Sequence, residues 1–505
     1  MGRPATAMLV FLGLAGGLTG CAQLFGLDAT TGPTGGDDDQ PATTLQYQRI
    51  SVGATAVRSP LNITANSAEY LVPDTTDASG IRRVATTTVG TDTWSASLAG
   101  MAAPVFFDLP DFPAPIKRIF DFPEQHVKGL FGVLEHASAQ PAPGGAQMDV
   151  NATLDIPYNG TDGLQMYVVG TWQQRGFAGA ELPAAAATAW VVPTFPFTSV
   201  TSLTGRPLEQ IIQQDAVYLL RYGAGTSDLQ GVVEVPGFTQ SVSVTLTGAM
   251  ITNAHDRTLN VTVDTNAPAT RFAQVRPAMT NVAESWSVVA APGYQIVSNS
   301  GIVLTAGGLT VGASGALNVP YGNPFVAKHD WPDVMTWSTS ATRTFTPSAM
   351  GLPVTPQTGL FQLIEPTAGL TLDLPAGLPI TITMGATALT TDGVTMTVDP
   401  TKAVPVSFQA DKVDNTVYQL QLFELVPNLP TGATALAYHQ TLGATGTKPS
   451  FLLPPELFEV GKTYVLRAIC IQGGFPALDT GDLTNRAPPQ AVGFLDSAVF
   501  TVAAP

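Results

Sequence analysis

Short apolar runs, many of them alternating with polar residues and closed off by glycine or proline, dominate this chain. Ser241-Val-Ser-Val-Thr-Leu-Thr247 and Leu259-Asn-Val-Thr-Val263 are the clearest cases. A period of two puts one set of side chains on a buried face and the other in water, which is the pattern of a half-buried strand. The 49 glycines and 41 prolines cluster between such runs, where they end strands and make turns. Further strands are expected over Met148–Ile156, Leu164–Thr171, Ala216–Tyr222, Ser285–Ala290, Val334–Ser338, Val404–Phe408, Val417–Phe423, Lys462–Ile471 and Ser497–Val502. The expected fold class is all-β, with several β-sandwich domains in tandem after a flexible tether.

Length allows about three or four domains at roughly 100–200 residues each. Turn-rich stretches suggest the divisions. Residues 1–20 form a signal segment and 21–44 an acidic tether containing Asp37, Asp38 and Asp39. Folded domains are expected over 45–145, 146–237, 238–375 and 376–505, with Ser138–Ala146 as the clearest linker. No repeat of fixed period is visible. Two short helices are expected. In the first, Val127, Leu130, Phe131 and Leu134 fall at helical spacing after Pro123; in the second, Leu208, Ile211 and Ile212 share one side of Arg206–Gln214.

In the last 110 residues or so, the order of runs and the stretch Leu457-Phe-Glu-Val-Gly-Lys-Thr-Tyr-Val-Leu-Arg467 resemble a fibronectin type III module, of the immunoglobulin-like sandwich class. The resemblance implies that Tyr464 is the corner tyrosine, its hydroxyl bonded back to upstream backbone. Phe458, Val460 and Phe408 depart from that family's usual residues.

At the other end, Leu18-Thr19-Gly20-Cys21 follows a basic start at Arg3 and an apolar run over Ala5–Gly17. The run is too short to span a bilayer and has the length of a secretory core. The tetrapeptide resembles the lipobox of bacterial lipoproteins. That resemblance implies removal of the first 20 residues, lipidation of Cys21, and attachment to the membrane through that lipid. With Ala22 rather than aspartate next, it also implies the outer membrane, facing either the periplasm or the outside.

The formal charge of −16 opposes binding to phosphate backbones, so nucleic acid is not an expected partner. Cys21 and Cys470 are the two cysteines. With Cys21 lipidated no disulfide framework remains, and alternation puts Cys470 on the core face with Tyr464, Leu466 and Ala468.

Catalytic motifs are sparse. No serine sits in GxSxG, and Gly312-Ala-Ser-Gly-Ala316 ends wrongly for that turn. His126, His136, His255, His329 and His439 are scattered without HExxH spacing, and no phosphate loop is present. Asp108, Asp111 and Asp121 lie among phenylalanines without a recognisable pairing. No catalytic residue is nominated. Asp479, Asp482 and Asn485 have oxygen ligands at calcium-like spacing, which makes calcium the one cofactor to consider. Of six tryptophans, Trp331 and Trp337 flank a turn-like Pro332-Asp333 and are the candidates for an exposed ligand contact. The expected function is a non-enzymatic, lipid-anchored envelope or cell-surface protein that binds a protein or polysaccharide. The alternatives are an exported hydrolase acting on envelope or extracellular polymer, or a subunit of an envelope assembly complex.

Overall fold

The computed structural model describes residues 42–505 apart from 53–55, 99–100, 110–115, 134–139, 203–207, 226, 276–280, 293–300, 311–313, 348–350, 368, 373–375, 391 and 428–435. Cys21, the aspartate run, Asp111, Leu134 and His136 lie outside these residues. Strand makes up 53% and helix 7% of the described residues, so the fold is all-β.

The first sandwich comprises β1 (Thr43–Val52), β2 (Ala56–Pro60), β3 (Ala68–Pro73), β4 (Ile81–Ala85), β5 (Thr87–Val89), β6 (Thr93–Ala96), β7 (Val105–Leu109), β8 (Ile116–Asp121) and β9 (His126–Val133). One sheet runs β6–β1–β9, with β2 and β5 added to it, and the other runs β4–β3–β7–β8. Tyr47 and Trp94 from the first sheet pack on Phe107 from the second, with ring centroids 5.3 and 4.9 Å apart.

The second sandwich comprises β10 (Gln147–Thr153), β11 (Gly163–Val168), β12 (Gln173–Gly176), β13 (Ala189–Pro196), β14 (Thr201–Ser202), β15 (Val217–Tyr222), β16 (Leu229–Val235), β17 (Ser243–Ala249) and β18 (Ile251–Thr252). Its sheets are β13–β10–β17 and β14–β12–β11–β15–β16–β18.

The third comprises β19 (Arg257–Asp264), β20 (Asn281–Ala290), β21 (Ile302–Gly308), β22 (Ser314–Tyr321), β23 (Asp333–Thr342), β24 (Gln357–Ile364) and β25 (Leu370–Leu372). Its sheets are β22–β19–β25 and β21–β20–β23–β24.

These three sandwiches share one topology. Seven principal strands, numbered in chain order, pair 4–1–7 in one sheet and 3–2–5–6 in the other, and the first strand lies parallel to the last each time. The repeat is one of topology, in which only the apolar/polar alternation recurs along the sequence.

The fourth sandwich comprises β26 (Pro379–Met384), β27 (Thr387–Ala388), β28 (Val394–Thr397), β29 (Val404–Ala410), β30 (Val417–Pro427), β31 (Leu436–Gly446), β32 (Ser450–Leu453), β33 (Thr463–Gly473), β34 (Gln490–Asp496) and β35 (Phe500–Ala503). It has a different arrangement. The sheet β27–β26–β29–β32 faces β31–β30–β33–β34, while β35 pairs with β33 and with a parallel β28. The backbone N–H of Glu459 donates to the Tyr464 hydroxyl at 2.9 Å. Burial pushes this phenol up to about 12, so it keeps its own proton. Tyr464→Phe is expected to lower unfolding free energy by about 1 kcal/mol, read from the urea midpoint; an unchanged midpoint would mean the corner bond contributes nothing. Cys470 is buried with Tyr464, Leu466 and Ala468 in the core of this sandwich.

The fourth sandwich sits between the third and the first. Strand β24 continues antiparallel onto β34, with Leu360 opposite Gly493, and β31 continues parallel onto β8, with Ala444 opposite Ile119. One 14-stranded sheet therefore carries main-chain hydrogen bonds through three sandwiches. Gly493 is required at the first seam, because a Cβ there would lie 2.1 Å from the carbonyl oxygen of Gly377. Arg271, on the helix Asn266–Val275, reinforces that seam with two hydrogen bonds to the Asp411 carboxylate, at 2.7 and 2.8 Å. Sheet ends are blunted against further pairing by Arg82 and Arg83 on β4, by Pro193 and Pro196 on β13 and by Pro320 on β22.

Three expectations change. His126–Val133 is strand β9 rather than a helix, paired in parallel with β1 from Thr44↔His126 to Ser51↔Val133. The described part of Arg206–Gln214 is not helical; Glu209 bridges Pro141, and a turn follows. The boundary expected at 237 moves beyond Thr252, because β17 pairs with β10 and buries Leu246 in the second sandwich's core.

Candidate functional site

The candidate site is the interior of the third sandwich together with its junction with the second, and both expected tryptophans sit here. The run Val217-Tyr-Leu-Leu-Arg-Tyr222 is buried at every position. Val217 and Leu219 belong to the second sandwich's own core, while Tyr218, Leu220 and Tyr222 on the opposite face join the apolar cluster of the third. A strand covered on both faces has no reason to alternate.

Across from Tyr218, the short helix Val326–His329 ends on Asp330 in the left-handed region (φ 54°). This reversal directs the chain into Trp331. Asn323 holds the loop from within: its Nδ2 donates to the Trp331 carbonyl at 3.0 Å, and its Oδ1 accepts from the Phe325 N–H at 3.0 Å. The ring of Phe325 lies 5.0 Å from Tyr218 and 5.4 Å from Trp331, and His329 stacks on Trp331 at 4.9 Å. The Tyr218 hydroxyl is hydrogen-bonded to His329 Nε2. Burial, then the Lys328 charge, push His329 below its usual value. The imidazole is accordingly neutral at pH 7, and the hydrogen bond joins two uncharged groups. Burial raises the Tyr218 phenol, so that proton stays in place.

Polar contacts rim the junction. Lys328 pairs with Glu234, and Asn253 Nδ2 donates to the carbonyls of Leu229 at 2.8 Å and Gly322 at 3.1 Å. Gly322 permits this approach, since a Cβ there would lie 1.9 Å from the Ala254 carbonyl oxygen.

The expectation that Trp331 and Trp337 are exposed is therefore overturned: each is 1% accessible. The turn-like look of Pro332-Asp333 marks the start of β23, and Asp333 is held there by Arg257, Tyr321 and Asn323. Trp331 acts as packing between two sandwiches, and Trp337 lies inside one.

On the interior face of the third sandwich, Trp337 on β23 lies opposite Trp286 on β20 and Gln362 on β24, and one step along Thr339 lies opposite Glu284 and Leu360. Glu284 is 6% exposed, and the Thr339 hydroxyl directly across from it is the side-chain donor that favours its charged form. Trp337 Nε1 and Gln362 Oε1 on this face are buried and unpaired. Burial raises the Glu284 carboxyl to about 7; Thr339 opposes the shift and the Asp264 carboxylate adds to it. Sequence reasoning missed Glu284, although the signal was present. In Asn281-Val-Ala-Glu-Ser-Trp-Ser-Val288, alternation puts Glu284 on the face of Trp286 and Val288.

Asp479, Asp482 and Asn485 fall in the connection between β33 and β34. Asp479 is exposed. The Asp482 carboxylate accepts from both the N–H and the hydroxyl of Thr484, an Asx turn. The same loop docks on β9, with Lys128 N–H donating to the Gly481 carbonyl and Leu483 N–H donating to that of Lys128. Among the described residues, no group of three or more His, Cys, Asp or Glu side chains is placed to hold a metal ion.

No family model and no curated protein matches the chain. Two solved structures are similar to parts of it. One is a leucine-rich repeat protein from Bacteroides thetaiotaomicron, at 9% identity and TM-score 0.14, covering 45% of this chain and 26% of that one. The other is a streptococcal ancillary pilin, at 10% identity and TM-score 0.12, covering 62% of this chain and 95% of that one. Neither likeness carries an argument about fold or function.

Proposed function

We propose that this chain is a lipid-anchored envelope or cell-surface protein whose sandwich assembly is a rigid binding platform for a protein or polysaccharide partner. The observation that carries the reading is the 14-stranded sheet. Sandwiches joined by main-chain hydrogen bonds do not swing relative to one another as beads on linkers do. A partner meeting them has less ordering entropy to overcome. The Tyr464 corner and the strand order of the last sandwich support its kinship with fibronectin type III modules. The Leu18-Thr19-Gly20-Cys21 tetrapeptide supports the anchor and, with Ala22, the outer membrane.

Two measurements test this. Cys21→Ser should move the chain from the membrane fraction to the soluble fraction; a soluble wild-type chain would end the anchor proposal. Protease applied to intact cells, followed by blotting for a C-terminal tag, then gives the orientation. Loss of the tag means an outward-facing platform, and protection until the outer membrane is permeabilised means a periplasmic partner.

A further inference from the structure

We propose that Glu284 is a buried proton-binding site that makes the third sandwich, and its seam with the fourth, respond to pH. The geometry comes first. A carboxylate has two oxygens that together accept up to about four hydrogen bonds. Here both oxygens are buried, and the Thr339 hydroxyl on the facing strand is the side-chain donor that favours the charge. An unpaired buried charge is among the costliest arrangements in a protein interior, and such a group gives up its charge instead. One hydroxyl does not replace the several hydrogen bonds a carboxylate makes in water, and Gln362 Oε1 on the same face is an acceptor that adds none.

Nor does a cation face it. From β19 comes Asp264, an acid. The helix Asn266–Val275 carries Arg271, which is committed to Asp411. Past the end of β23, Arg343 is paired with Asp392, and at the strand's start Asp333 is held by Arg257. Strands β21, β22, β24 and β25 carry no charged residue. Burial and the Asp264 charge favour the neutral form of Glu284 and outweigh the Thr339 hydroxyl, and the raised carboxyl agrees with that placement.

The consequence follows by linkage. For an acid raised from its usual 4.5 to about 7, the stabilising contribution is present below 4.5 and is lost as pH climbs through 7. The strand that carries Glu284 is two strands from a seam: β20 pairs with β23, β23 with β24, and β24 with β34 of the fourth sandwich. Ionising Glu284 loosens this face and weakens the β24–β34 seam.

Denaturant unfolding of the full chain at pH 5 to 8 is the test, with Glu284→Gln alongside as a fixed neutral mimic. Between pH 5 and 8 the folded-to-unfolded ratio attributable to Glu284 should fall on the order of 100-fold. That component should be missing in the glutamine variant, which should be the more stable chain at pH 8. Infrared spectra should show a protonated carboxyl band at pH 6 that fades by pH 8 and is absent in the variant. Hydrogen exchange in Gln357–Ile364, corrected for intrinsic pH dependence, should quicken at pH 8 only in the wild type. Identical pH profiles for the two chains, or no protonated band, would overturn the proposal. So would a gain in wild-type stability at pH 8 on adding calcium or sodium that the variant lacks, because the site would then hold a metal ion and not a proton.

Discussion

Replacing Asp496 with alanine is expected to lower unfolding free energy by about 3–5 kcal/mol, because it strands a buried guanidinium. Asp496 is fully buried, and its two oxygens take hydrogen bonds from Arg467 Nε at 2.6 Å and Nη2 at 3.0 Å. One oxygen also accepts the Gln357 N–H at 2.9 Å. That third bond comes from β24, so a single carboxylate serves both the fourth sandwich and its seam with the third. Arg467 lies over the rings of Phe423 and Phe494. The variant removes the carboxylate that balances its charge there. Urea unfolding measures the loss, and a change below about 1 kcal/mol would mean that water reaches Arg467. Replacing both members with apolar residues of similar volume should recover much of the stability, since the desolvation of two ions is removed together with their attraction.

Trp331→Ala should cost a similar amount, about 3–5 kcal/mol, because it empties a large volume at a buried junction. The ring is 1% exposed and is flanked by Phe325 and His329. The loss should fall on the contact between the second and third sandwiches. Limited proteolysis should therefore release the second sandwich from the variant at protease levels that leave the wild type whole. An exposed sugar platform behaves in the opposite way: alanine there leaves stability alone and abolishes ligand binding. A variant as stable as the wild type would restore that reading. Trp331→Phe should retain about half of the packing.

Strand content was legible because alternation and turn residues are local signals. So was the buried face of Cys470, by counting in twos from Tyr464. The corner bond at Tyr464 followed from a family likeness whose key contact spans five residues. The helix expected from Val127, Leu130 and Phe131 failed for a non-local reason. Eight residues of β9 find backbone partners on β1, some 82 positions away, and Gly129 lets Tyr47 pack closely enough that a Cβ would lie 2.6 Å from its ring. The exposed tryptophans failed for a related reason. Pro332-Asp333 reads as a turn, and Trp331 is buried by the arrival of another sandwich while Trp337 is buried inside its own.

By itself the sequence determined that the chain is all-β and where most strands lie, because strand formation depends on the local alternation of apolar and polar side chains. It also contained the marks of two-sided burial, in runs such as Val217–Tyr222 and Gln490–Asp496 that do not alternate. What covers the second face was decided only in the tertiary structure. The shared topology of three sandwiches, the fourth lying between the third and the first, and the burial of the Glu284 carboxylate all depend on which strands meet across large sequence separations. Main-chain hydrogen bonds between strand edges are nearly indifferent to side-chain identity. The sequence therefore specifies which strands can form, and the packing of whole faces selects which edges join.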